Sequence, residues 1–105
     1  MTNALFVCSR NRKRSPTGEY VGTQLGFNTM SAGLAPDADE VIDIEHLKWS
    51  DIIFVMESKH KTKLNQKYAS YLKNKRVIVL GIPDNFECMQ PELIKLFEQK
   101  LKSFM

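Results

Sequence analysis

Apolar runs alternate along this chain with segments in which apolar residues recur at helical spacing. Three of the runs are apolar without interruption, which is typical of strands covered on both faces. Strands are predicted at residues 4–7, 28–31, 52–56 and 77–80. Helices are predicted at about 16–25, 38–48, 59–73 and 91–103.

This alternation of strands and helices predicts an α/β fold with a doubly wound, four-stranded parallel sheet and helices on both faces. Short, right-handed connections favour the strand order 2-1-3-4. A length of 105 residues fits one domain, spanning 1–105. In such sheets a ligand binds beyond the carboxyl ends of the strands where the order reverses, which is the end of strand one. Cys8 stands at that point.

The formal net charge of +3 is concentrated in one place. Four cations lie within one short segment, so the rest of the chain carries a net charge of −1. They are Arg10, Arg12, Lys13 and Arg14. The chain is therefore near neutral with one basic spot.

The cysteines and histidines predict neither a disulfide framework nor a metal centre. Cys8 and Cys88 are 80 positions apart, and neither they nor His46 and His60 show the short spacings of zinc ligands. The sequence also has no signal peptide and no apolar span of 18 residues. We therefore expect a cytoplasmic protein with no membrane role, no metal and no cofactor.

The segment "CSRNRKRSP" at residues 8–16 carries the candidate chemistry. A loop between a strand and a helix can surround an anion with backbone N–H groups, and the helix N-terminus adds further donors. Arg14 would present a planar guanidinium to two phosphate oxygens, and Ser15 is predicted to cap the helix. The loop has no glycine, so Asn11 is predicted to take any positive φ.

A cysteine at the floor of this loop would be surrounded by donors and cations that stabilise its thiolate, the nucleophilic form. By itself, Cys8 would be interpreted as a small buried side chain, and the arginines as a solvated patch. The ordered combination of cysteine, five residues, arginine and serine between a strand and a helix favours a phosphate-binding site with a nucleophile.

The sequence here resembles the low-molecular-weight protein tyrosine phosphatase family, whose signature is Cys-x5-Arg-Ser near the N-terminus. The similarity continues in "SAGL" at 31–34, in "SDIIFVME" at 50–57 and in the aspartate of "GIPDNF" at 81–86. It thus covers nearly the whole chain.

The resemblance implies a phosphatase that forms a phosphocysteine on Cys8. Arg14 and the loop residues Ser9, Arg10, Asn11, Arg12 and Lys13 would bind the phosphate. Ser15 would stabilise the thiolate, Asp84 would serve as general acid and base, and Phe86 would flank the substrate. The residues alone also point to Asp84, because an expelled alkoxide or phenoxide needs a proton and this carboxylate follows strand four. Glu57 and Glu87 are the lesser candidates.

The chain also departs from the family pattern. Asp84-Asn85-Phe86 replaces the usual Asp-Pro-Tyr, Lys13 replaces a second loop cysteine, and the segment 33–40 is short and lacks an aromatic residue. The expected substrate is a phosphorylated protein, phosphotyrosine first, or a small phosphomonoester. Two other functions stay open. One is a phosphate- or nucleic-acid-binding module without turnover, and the other is an arsenate reductase, which needs one cysteine more than this chain has.

Overall fold

A four-stranded sheet forms the centre of the computed structural model, which describes residues 2–104. All neighbouring strands pair in parallel, in the order β2-β1-β3-β4. The strands are β1 Asn3–Cys8, β2 Asn28–Gly33, β3 Ile52–Val55 and β4 Arg76–Val79. The predicted fold class and strand order are confirmed.

Four helices connect or follow these strands. They are α1 Arg14–Gln24, α2 Ile44–Trp49, α3 Ser58–Tyr68 and α4 Pro91–Leu101, and 3-10 turns at Ala69–Tyr71 and Lys102–Phe104 extend the last two. No helix among residues 2–104 has both the length and the apolar character needed to cross a membrane.

The second helix is shorter than the sequence predicts. The expected start at residue 38 is wrong, because Val41 forms an isolated bridge with Gly33 and the helix begins only after Asp43. The Asp43 side chain accepts a hydrogen bond from the backbone N–H of His46 and caps the helix. Residues 36–43 therefore lie beside the end of β2 and not in a helix.

The sheet is covered on both faces, and alternate residues of β1 serve the two cores. Phe6 packs with Phe54 and Phe97 on the face that holds α1 and α4. Leu5 and Val7 pack on the opposite face with residues of α2 and α3, including Leu47 and Leu64. The same two-residue period of the strand places the Cys8 side chain on the face of the sheet that holds Phe6.

Helix α1 lies unusually close to the sheet. An added Cβ at Gly18 would come within 2.7 Å of a Phe6 ring carbon and 2.8 Å of a Phe97 ring carbon. Only glycine fits at this position. The close packing holds helix α1 against the sheet, next to the loop that follows β1.

Candidate active site

The loop of residues 9–13 joins β1 to α1 and borders an open cavity of about 510 Å³. Cys8, only 3% exposed, forms part of its floor at the carboxyl end of the sheet. The cavity is lined by Cys8, Ser9, Arg10, Arg12, Lys13, Arg14 and Asp84. Most of the residues predicted for the site are thus brought together around one space.

Asn11 shapes the loop by adopting a left-handed backbone conformation. Its φ of 57° confirms the prediction that this residue, and not a glycine, makes the turn. In this conformation its backbone N–H donates to the Cys8 Sγ at 3.2 Å. The turn therefore directs a main-chain donor at the sulfur.

Ser15 contacts the Cys8 sulfur. The prediction that it caps helix α1 is wrong. Helix α1 begins at Arg14 with Lys13 as N-cap, and no side chain caps it. The Ser15 Oγ lies 3.0 Å from the Cys8 Sγ and donates to the Asn11 Oδ1 at 2.7 Å. Because a hydroxyl has a single proton, Ser15 can give it either to the amide or to the sulfur. A thiolate at Cys8 favours the second arrangement.

Arg14 is almost completely buried at 3% exposure, yet its guanidinium lines the cavity. Its Nη1 donates to the Glu57 carboxylate at 2.5 Å and to the Ile82 carbonyl at 2.8 Å. These contacts come from the ends of β3 and β4, so the sheet itself orients the arginine. A preoriented guanidinium loses little conformational entropy when it binds an anion.

Glu57 serves as the partner of Arg14, which makes it a poor proton donor. The hydrogen bond from Arg14 holds the pKa of Glu57 below its ordinary value. The carboxylate therefore stays ionised at neutral pH and fixes the arginine. The sequence indicates Glu57 only as a lesser candidate acid.

Asp84 lies at the rim of the cavity and is 64% exposed. Its Oδ1 is 3.7 Å from the Arg14 Nε, which places the carboxylate above the floor formed by Cys8. A carboxyl group at the rim can exchange a proton with a molecule bound in the cavity. The other lesser candidate, Glu87, pairs with Lys13 at 3.4 Å.

His60 connects the loop to the start of α3. Its Nδ1 accepts the backbone N–H of Glu57 at 3.0 Å, so the Nε2 carries the proton and donates to the Ser9 Oγ at 3.1 Å. Burial, reinforced by the charge of Arg14, lowers the pKa of His60 to about 4. A neutral histidine thus holds Ser9 in place.

The pKa of His60 leads to a testable pH dependence of stability. Between about pH 6.5, the ordinary histidine value, and about pH 4 the unfolded chain binds a proton that the folded chain does not. The free energy of unfolding should therefore fall as the pH drops through this range, by on the order of 2 kcal/mol. His60→Gln keeps a residue that can complete the helix cap but cannot titrate.

Urea unfolding at about pH 7 and about pH 4.5 measures this contribution. We expect a smaller difference between the two pH values for His60→Gln than for the unchanged protein. The same pH dependence in both proteins would contradict the assignment.

The three exposed cations of the loop each meet a carboxylate. Arg10 lies 3.7 Å from Asp37, Arg12 lies 3.2 Å from Asp39, and Lys13 pairs with Glu87. Sequence reasoning missed these partners. The basic spot predicted from composition is therefore balanced by acidic residues on the surrounding loops.

The segment 33–39 supports the loop through its backbone. Leu34 N–H donates to the Cys8 carbonyl, Ala35 N–H to the Ser9 carbonyl and Asp39 N–H to the Arg10 carbonyl, at 2.8 to 3.0 Å. An added Cβ at Gly33 would come within 2.6 Å of the Ser9 oxygen, so this approach requires glycine. The short segment braces the loop from behind.

Phe86 and Cys88, both singled out in the sequence, lie away from the cavity lining, as does Trp49. Phe86 is half-buried and packs against the core shared with Phe97. Cys88 is exposed, with its Sγ 3.9 Å from the Thr17 Oγ1. Trp49 packs against the core on the opposite face of the sheet.

Comparison with solved structures finds close matches to the whole arrangement of elements. The Wzb protein of Vibrio vulnificus, solved with benzylphosphonate, superposes with a TM-score of 0.79 at 22% identity, covering 98% of this chain and 96% of that one. A low-molecular-weight protein tyrosine phosphatase from Streptococcus pyogenes gives 0.79 at 17% identity, covering 99% and 91%. The chain has the fold of the low-molecular-weight phosphatases.

The same fold includes a phosphatase with a different stated substrate. The YwlE arginine phosphatase from Geobacillus stearothermophilus matches with a TM-score of 0.72 at 18% identity, covering 99% of this chain and 95% of that one. No protein-family model and no curated protein matches the sequence. The resemblance inferred from the sequence is thus confirmed at the level of the fold.

Proposed function

We propose that the protein is a cysteine-dependent phosphomonoester hydrolase that forms a phosphocysteine on Cys8. The observation that carries this proposal is the surroundings of the Cys8 sulfur. It faces an open cavity, accepts the Asn11 N–H at 3.2 Å and lies 3.0 Å from the Ser15 hydroxyl. Arg14 lines the same cavity. A purely structural thiol needs neither of these donors nor a buried arginine beside it.

In the first step the Cys8 thiolate attacks phosphorus while the bond from phosphorus to the ester oxygen breaks. Asp84 gives its proton to that oxygen, so the product leaves as a neutral hydroxyl compound. Arg14 and the backbone N–H groups of residues 9–13 bind the phosphoryl oxygens as charge redistributes.

In the second step water attacks the phosphocysteine and Asp84 takes a proton from it. The bond between sulfur and phosphorus breaks, releasing inorganic phosphate and restoring the thiolate. Ser15 assists this departure when its proton turns from the Asn11 amide to the sulfur. The 2.7 and 3.0 Å distances on its two sides make that change a rotation of one hydroxyl.

Phosphotyrosine in protein is the first proposed substrate, in line with the similar tyrosine phosphatase structures. Phosphoarginine, a phosphoramidate in place of a phosphoester, is the second candidate, because one structure with the same fold is an arginine phosphatase and an exposed carboxylate, Asp84, lines the cavity here. Asp84 lines the cavity and is 64% exposed, so its carboxylate suits a cationic leaving group.

The paired cations argue against a nucleic-acid-binding module. Arg10, Arg12 and Lys13 already have carboxylate partners, and an extended acidic ligand would have to displace them. Arsenate reduction is also disfavoured, because the relay needs two cysteines besides Cys8 and the chain has only Cys88.

Hydrolysis of 4-nitrophenyl phosphate tests the proposal, followed by phosphotyrosyl, phosphoarginyl and phosphoseryl peptides of one sequence. We expect turnover of the aryl phosphate and of the phosphotyrosyl peptide, and acid quenching should trap one phosphoryl group on the peptide that contains Cys8. Salt-dependent binding to RNA without hydrolysis of any phosphoester would overturn the proposal.

A further inference from the structure

A second, shallower groove of about 550 Å³ lies beside the candidate active site. It is lined by Glu57, Ser58, Lys59, Val79, Gly81 and Pro83. The groove and the cavity are adjacent. Glu57 of the groove and the Ile82 carbonyl both accept hydrogen bonds from Arg14 of the cavity. Pro83 of the groove directly precedes Asp84 of the cavity. A chain that leaves the cavity past Asp84 therefore enters the groove.

The groove meets an open edge of the sheet at Val79, the last residue of β4. Strand β4 is last in the strand order of the described residues, and Val79 is 37% exposed. The N–H groups of Leu80 and Ile82 donate inward, to the Val55 and Met56 carbonyls at 2.9 and 2.8 Å.

Backbone N–H groups alternate in direction along an extended chain. The N–H group of Val79, the last residue of β4, therefore points outward, into the groove. At Gly81 the space is open, because no heavy atom lies within 4 Å of the position a Cβ would take.

We infer that this groove binds the polypeptide that flanks the phosphorylated residue of a protein substrate, as an added strand at the end of β4. An extended chain offers main-chain donors and acceptors at the same two-residue spacing as the edge it joins. A small phosphoester held in the cavity would not reach this edge. The inference rests on the proposed phosphatase function and specifies its substrate as a protein.

A matched pair of substitutions tests the contribution of the Val79 N–H. Val79→Pro removes that donor at an exposed edge position, where proline is tolerated, and Val79→Thr keeps the donor and nearly the same shape. We compare the ratio of kcat/KM for a phosphotyrosyl peptide to kcat/KM for 4-nitrophenyl phosphate. This ratio should fall about tenfold in Val79→Pro, as for one or two lost hydrogen bonds, and change less than about twofold in Val79→Thr.

A second measurement uses the unchanged protein, so it does not depend on the folding of a variant. The phosphopeptide is N-methylated at one backbone nitrogen at a time. We expect losses of about tenfold at alternate positions on one side of the phosphorylated residue and little effect at the positions between them.

Two results would overturn the inference. One is a set of N-methylated peptides that are all hydrolysed like the parent or that lose activity without alternation. The other is a change of oligomeric state in Val79→Pro with an unchanged ratio, which would assign the edge to a second copy of the chain. Failure of the phosphatase proposal is distinguishable, because 4-nitrophenyl phosphate would then not be hydrolysed by any of these proteins.

Discussion

Replacing Cys8 by serine is expected to abolish turnover, with kcat for 4-nitrophenyl phosphate reduced by at least about 10⁴-fold. A serine hydroxyl at this position is not ionised at neutral pH, so it lacks the nucleophilic form that a cysteine can supply. Phosphate affinity should stay within a few-fold of the original, because the loop N–H groups and Arg14 do not depend on the sulfur. Initial rates and calorimetric titration with inorganic phosphate measure the two effects.

Cys88→Ser provides the matched control, since it makes the same chemical change at an exposed thiol outside the cavity lining. This variant should keep nearly full activity. Substantial turnover in Cys8→Ser would exclude a phosphocysteine mechanism.

The second large effect is expected from Asp84→Asn, and it should depend on the leaving group. For esters with poor leaving groups the variant should be slower by about 10² to 10⁴, the usual contribution of a positioned proton donor. For activated aryl phosphates the loss should be much smaller, because their leaving group scarcely needs a proton. Phosphate affinity should be unchanged or slightly higher, since a carboxylate 3.7 Å from the Arg14 Nε is removed.

A series of aryl phosphates with graded leaving groups gives the measurement, and Glu87→Gln is the control at a neighbouring exposed carboxylate. Equal losses across the series, or a larger loss in Glu87→Gln, would remove Asp84 from the role of general acid.

The sequence predicted the sheet because its signals are local. Uninterrupted apolar runs mark strands buried on both faces, and the alternation of strands with helices restricts the order to a few choices. The left-handed Asn11 was also predictable, because a tight loop without glycine leaves few residues that tolerate a positive φ. The absence of helix at residues 38–43 was missed because a long-range bridge from Val41 to Gly33 outweighs helical periodicity there.

The site was predictable for the residues of one continuous motif and less so for their partners. Glu57 and His60 contact the loop only because β1 and β3 are neighbours in the sheet. Asp39, which pairs with Arg12, comes from a segment that was expected to begin a helix, and Asp37, which pairs with Arg10, directly precedes that segment. Ser15 was assigned to the cap because that preference is statistical, whereas its actual hydrogen bonds depend on the turn at Asn11.

The carboxylate partners of the loop cations also affect how a substrate reaches the site. The fields of opposite charges a few ångströms apart largely cancel at longer range, and at about 0.1 M salt any remainder is screened beyond about 10 Å. The approach of the proposed anionic substrate would then scarcely be guided by a long-range field, so we expect its association rate constant to change little with ionic strength. The substrate would be attracted only once it is within hydrogen-bond distance of Arg14 and the loop N–H groups. Selection would then depend on the fit of the phosphate group, and polyanions in general would not be favoured.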